Sequence, residues 1–187
     1  MACDITLGRL EPCKDSVGGI KNVYFANWKT YPTVVDDVVT DISSVLGTPT
    51  TEALFKYEVK GSSSLDQTVT SSRDAGTTYW EQVLTLTFKQ LTAATNKEIK
   101  LLAYGRPVVF VEDYNGNVFT CGLDNGMEVT GGTVVTGTAM GDLSGYTLVL
   151  TGQEKIPANF ITAGADSTSA VYPFDSITTA PTITAGA

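Results

Sequence analysis

Asp113, Asn115 and Asn117 fall at alternate positions in the run EDYNGN, the spacing with which the oxygen ligands of a calcium loop begin. The rest of such a loop is missing. Gly116 stands at the fourth position where the glycine belongs at the sixth, and no glutamate follows at the twelfth. Asn115-Gly116 reads instead as the tight turn of a β-hairpin. Glu112 and Asp113 are neighbouring carboxylates, but neighbours on a strand point to opposite faces and do not share a substrate. Asp124, Glu128 and Asp142 would hold a metal only if the segment between them folded back on itself, and solvated acids are the preferred reading. Trp28, Trp80 and Tyr104 suggest a ligand platform, yet aromatics in strands are more often core or interface. The chain has no histidine, which excludes imidazole-based catalysis, and with no GxGxxG and no GxxxxGK[ST] it shows no nucleotide-cradle motif. Its three cysteines, Cys3, Cys13 and Cys121, form no CxxC pair. A Cys3–Cys13 disulfide is the alternative to three free thiols, which is the reading preferred for a protein assembled inside a cell. These residues call for no metal, no cofactor and no enzymatic activity.

Charge is the more informative signal. The 187 residues carry 20 acids against 12 bases, a net charge of −8. That balance argues against a basic surface that reads nucleic acid. From Pro107 to Glu154 there are six acids and no Lys or Arg, and residues 122–150 hold seven glycines. The N-terminal MACDITLGRL lacks the basic and apolar regions of a signal peptide, and no apolar run reaches membrane-spanning length.

The elements that must position these residues are mostly strands. Thr, Val, Ser and Gly are abundant, a composition suited to pleated surfaces and turns. NVYFANW (22–28) reads as a strand with both faces partly buried, ALFKYEV (53–59) alternates, and YWEQVLTLTFKQL (79–91) is the clearest strand. Residues 33–47 have helical spacing but β-branched composition, and a strand over about Val38–Ser43 is preferred. Residues 92–105 form the one helix, capped by Thr92, with Gly105 expected in the left-handed position ahead of Pro107. Residues 108–122 make a hairpin, and GYTLVLTGQE (145–154) is a further strand. The glycine-rich segment between them is read as their connection. GSSSLDQTVTSSRDAGTT (61–78) is read as a long polar loop that projects from the body and is mobile until another subunit orders it. Residues 1–20 are read as an irregular arm or a short edge strand, and 156–187 as an extended arm on a β domain spanning 1–155. The fold class expected is mainly β: two packed antiparallel sheets, sandwich- or barrel-like, with one flanking helix at about 92–104 and extended arms.

Several runs resemble the tail tube (major tail) proteins of phages and prophages of Bacteroidetes. They are NVYFANW, FKYEVKGSSSLDQTVTSS with YWEQVLTLTFKQL, NKEIKLLAYGRPVVFVEDYNG, and LDNGMEVTGGTVVTGTAMGDLSGYTLVLTGQE. Together they cover about residues 20–155. The resemblance implies subunits that form hexameric rings, whose inner strands close into a barrel and whose rings stack into a tube that passes DNA without specific binding. The partners implied are further copies of the chain and other tail or neck proteins, with no membrane. The location implied is the virion tail, assembled in the host cytoplasm. It also implies a loop reaching the neighbouring ring, which places Ser62, Ser63, Ser64, Leu65, Asp66, Gln67, Thr68, Arg73 and Asp74 at that contact. An acidic lumen would keep DNA mobile, and Asp113, Asp124, Glu128 and Asp142 are its candidates; outward acids serving solubility are the competing reading. The other functions compatible with this inventory are a neck or adaptor ring, a tail terminator, a capsid decoration protein, and a carbohydrate- or cell-binding β-sandwich module.

Overall fold

A computed structural model describes Ile5 and residues 7–28, 33–42 and 53–186. Alternating apolar side chains build most of it. Strand β1 (Ile20–Ala26) is buried on both faces, as its sequence predicts. Strands β2 (Thr33–Val35) and β3 (Val38–Asp41) replace the single strand expected over 38–43. Asp36 and Asp37 both take left-handed backbone (φ 51° and 62°), which closes a two-residue turn between them. Ser43 and the residues after it up to 52 lie outside the described residues. Strand β4 (Ala53–Glu58) follows.

The largest departure from expectation comes next. Residues 61–78 are not a loop: Ser64–Ser72 form strand β5, nine residues paired antiparallel with β6 (Thr77–Lys89) from Ser64–Thr85 to Ser72–Thr77. Only residues 73–76 turn. Gly76 there has φ 63°, and Ser72 Oγ accepts the Ala75 N–H at 3.2 Å. Ser and Thr made the segment look like a linker, but Leu65, Gln67 and Val69 keep period two, and Thr and Val suit a pleated surface.

Helix α1 (Ala93–Tyr104) has Thr92 as its N-cap, with Thr92 Oγ1 accepting the Thr95 N–H at 3.1 Å. Gly105 is extended (φ −94°) rather than left-handed, and its N–H still reaches the carbonyls of Leu101 and Leu102. Strands β7 (Val108–Asp113) and β8 (Val118–Cys121) form the expected hairpin. Its left-handed position falls on Gly116 (φ 84°), in a loop closed by Asp113 N–H to the Asn117 carbonyl. The glycine-rich segment is itself a strand, β9 (Glu128–Val135), paired with β10 (Gly145–Glu154). Residues 156–186 are not the extended arm expected, because 166–179 run through successive turns, with Ser169, Tyr172, Phe174 and Ile177 N–H groups each donating three residues back. The segment supplies β11 (Asn159–Ile161) and β12 (Thr182–Ala185) to the larger sheet and buries Phe174 and Ile177 in its core.

Two sheets result. One is curled and eight-stranded, ordered β12-β4-β1-β7-β8-β11-β3-β2, with β11–β3 and β12–β4 parallel. The other is four-stranded and antiparallel throughout, ordered β5-β6-β10-β9. Val23, Phe25, Val109 and Val111 of the large sheet pack against Leu84, Leu86, Leu148 and Leu150 of the small one, and Ile99 of α1 joins them. The other face of the large sheet buries Tyr24, Phe110, Ile42 and Phe174 in a second core. Among the described residues, the four-stranded sheet thus has one face in the core and the other open.

Candidate assembly surface

The open face follows from alternation. Residues 82, 84, 86 and 88 of β6 are buried, so Glu81, Val83, Thr85 and Thr87 face away from the core. On β10 the same parity turns Thr147, Val149, Thr151 and Gln153 outward. Registry lines these up across all four strands: Asp66 stands opposite Val83, Val83 opposite Thr151, and Thr151 opposite Glu128. The next row holds Thr68, Glu81 and Gln153. Thr130 on β9 donates or accepts a hydroxyl bond with Thr151 at 2.9 Å, tying the edge strand down on this face. The surface is a carpet of threonine and valine bearing the acids Asp66, Glu81 and Glu128. The long strands β5 and β9 are its two edges, and among the described residues neither is paired on its outer side.

The nine residues expected at an inter-ring contact divide between body and tip. The Ser62 carbonyl accepts from Thr87 Oγ1 at 3.0 Å, and Ser63 Oγ accepts the Thr87 N–H at 3.1 Å. Ser64 Oγ donates to Asp66 at 3.0 Å. Leu65 packs on the core, and Gln67 accepts the Ala158 N–H at 2.8 Å. Thr68 faces outward from the same stretch of β5. Arg73 and Asp74 lie in the turn and are exposed. The projecting part is therefore the end of a two-stranded ribbon, about Val69 to Trp80, and not a free loop.

The four lumen candidates do not share one face. Asp113 serves its hairpin turn: Oδ1 accepts the N–H groups of Asn115 and Asn117, both at 2.8 Å, and Oδ2 accepts both side-chain amides. These are the three residues with calcium-loop spacing, and here they bond one another. Asp142 serves the β9–β10 loop, accepting the N–H groups of Thr138 and Ala139 at 2.9 and 2.7 Å; those bonds hold its carboxyl below the usual range. Asp124 is exposed in the 122–127 turn. Glu128 alone lies on the open sheet face. Arg106, one residue before the base-free stretch, reaches back into it: its guanidinium lies 3.6 Å from Glu128, donates to the Asn125 carbonyl and stacks 4.6 Å from the Trp28 ring. Trp28, Trp80 and Tyr104 occupy separate places and form no platform: Trp80 stands opposite Val69 and Glu154, while Tyr104 is exposed at the end of α1.

Two other acids are structural. Glu112 is buried and fully engaged, accepting from Lys21 Nζ at 2.8 Å, Asn22 Nδ2 at 2.6 Å and Tyr24 Oη at 2.9 Å. Burial, with Glu112 beside it, pushes the Tyr24 phenol far up. Glu154 is buried at the end of β10, where Oε1 accepts the N–H groups of Asp124 and Asn125; burial raises its carboxyl. Cys121 lies nearby, its thiol pushed up to about 12 by burial and by Glu154. Cys13 is exposed, and Cys3 lies outside the described residues.

Sequence reasoning placed Asp66 at the inter-ring contact and not on the open sheet face, and it missed Glu81. Glu81 was within reach, since the alternation from Leu84 puts residue 81 on the outward side. Asp66 needed the recognition of β5 as a strand. Among protein-family models, curated proteins and solved structures, none matches this chain.

Proposed function

We propose that this chain is the repeating subunit of a phage-type tail tube, a structural virion protein without catalytic function. The observation that carries the reading is the four-stranded sheet, which among the described residues has two long unpaired edges and one uncovered, acid-bearing face. An exposed edge strand is a template for pairing and is normally covered or closed into a barrel. Because the sheet is antiparallel with an even number of strands, β5 and β9 run in opposite directions. A β9 edge set beside the β5 edge of the next copy continues the antiparallel alternation. Repeated by rotation, that heterologous contact closes a ring, and the β5–β6 ribbon reaches the ring above. The open face then lines the lumen with Asp66, Glu81 and Glu128, carboxylates that repel phosphates and let DNA slide. The tube resides in the virion tail after assembly in the host cytoplasm.

Negative-stain microscopy of the purified protein tests this. Stacked rings or tubes with a central channel are expected. A monodisperse monomer in light scattering at high concentration and several salt strengths overturns it, and rings that never stack point to a neck, adaptor or terminator role.

A further inference from the structure

The two ends of the four-stranded sheet each carry apolar side chains that the monomer leaves in water. Strands β5 and β10 run one way, β6 and β9 the other. The β5–β6 turn therefore lies at one end and the β9–β10 loop, residues 136–144, at the opposite end. The thirteen residues of β6 separate them by about 40 Å. At the first end Val69 is 50% and Tyr79 37% exposed, beside the half-buried Trp80. At the second, Val134 is 60% exposed and Met140 fully exposed.

Met140 is not on a slack loop. The Asp142 carboxylate holds the Thr138 and Ala139 N–H groups, and the Asp142 N–H donates to the Ala139 carbonyl at 3.1 Å. Gly137 is left-handed (φ 77°), and a Cβ there would lie 2.9 Å from Asp142 Cβ. A prebuilt turn that holds a methionine out into water gains nothing for the isolated chain. The charges flanking the two ends are complementary: Arg73 and Asp74 at the ribbon end, Asp142 and Lys89 at the loop end, all exposed.

Patches this far apart on one chain cannot cover each other, so a second copy must. We infer that the loop 136–144 is the receiving surface for the β5–β6 ribbon of the next copy along the tube, with Met140 docked against Val69 and Trp80. The contact rests on the tube reading for the stack in which it occurs. It is heterologous and open-ended, as axial growth requires.

Cross-linking and charge exchange test it. In a Cys3→Ser, Cys13→Ser background, Val69→Cys with Met140→Cys is oxidised after assembly. A ladder extending beyond the dimer is expected from the double variant and from neither single one, because a disulfide needs Cα atoms within about 7 Å. Asp74→Lys and Lys89→Glu should each shorten tubes roughly tenfold, by placing like charges together, and the two combined should restore length. Met140→Asp should leave rings and abolish stacking. If unmodified chains form tubes but the double-cysteine variant gives no ladder and Met140→Asp tubes keep their length, the inference is wrong and the tube reading stands. If unmodified chains form no tubes at all, the tube reading fails and takes this contact with it.

Discussion

Glu112 and Asp113 are adjacent in sequence and opposite in consequence. The Glu112 side chain enters the second core, where it accepts from Asn22 and Tyr24, both almost wholly buried, and from Lys21 at the surface. Glu112→Ala strands two buried donors, each costing about 1–3 kcal/mol, so a loss of roughly 3–5 kcal/mol is expected in urea denaturation. Asp113→Ala removes a half-buried turn cap whose bonds lie at the surface and should cost only about 1 kcal/mol. Equal losses would show that the Glu112 network is not what holds β1 against β7. Glu154 gives a pH prediction. Burial raises its carboxyl above the ordinary 4.5, so the folded state holds a proton that the unfolded state releases. The stability from this group is fully present below pH 4.5 and is lost as pH rises through the folded value. Compared with Glu154→Gln, the wild type should therefore gain melting temperature on acidification from neutral pH toward 4.5. A constant difference across that range would exclude a raised Glu154.

At the scale of elements, the β5–β6 ribbon separates holding the sheet from reaching beyond it. Ser64–Thr68 belong to the sheet, because Leu65 packs on the core and Gln67 binds Ala158. Replacing Val69–Trp80 with Asn-Gly keeps the Thr68–Glu81 pair and supplies a favoured two-residue turn. That variant should fold with unchanged circular dichroism, form rings and fail to stack, as electron microscopy would show; full-length tubes from it would remove the ribbon from the axial contact. Strand packing is tightest at Gly145, where a Cβ would lie 2.0 Å from the Phe88 carbonyl oxygen. Gly145→Ala should cost about 3 kcal/mol or more in denaturant melts by forcing β10 from β6. Strands with large alternating side chains, β1, β4, β6 and β10, were legible in the sequence, as were the Thr92 cap and the 108–121 hairpin. Strands β5, β9 and β12 were not, because their Ser, Thr and Gly residues bury little and draw their order from neighbours already in place. Gln67 and Glu154 were equally hidden: each takes its role from a backbone N–H far along the chain, at Ala158 and at Asp124 and Asn125.

At the scale of the whole molecule, the sign and placement of charge matter more than any single contact. A net charge of −8 makes free subunits repel one another, and the proposed ring would have to overcome that repulsion through its β5–β9 edges. The acids on the open sheet face do more than solubilise if that face is the lumen. Asp66 and Glu81 lie in adjacent cross-strand rows, and registry sets them on the same side as Glu128. Replacing both with Lys gives about a dozen cations per ring of six, each able to bind a phosphate, and phosphate binding strengthens with every such contact. Particles carrying Asp66→Lys/Glu81→Lys tubes should release DNA more slowly than wild type. Raising the salt should narrow the gap, since screening acts over about 8 Å at physiological ionic strength. Glu11→Lys/Asp15→Lys, with the same charge change on the exposed N-terminal segment, should leave release unchanged. If the two double variants slow release equally, the effect is one of total charge and the open face is not the lumen. The ring would then have to turn its four-stranded sheet outward, which leaves the β5–β9 closure intact but places another surface against the DNA.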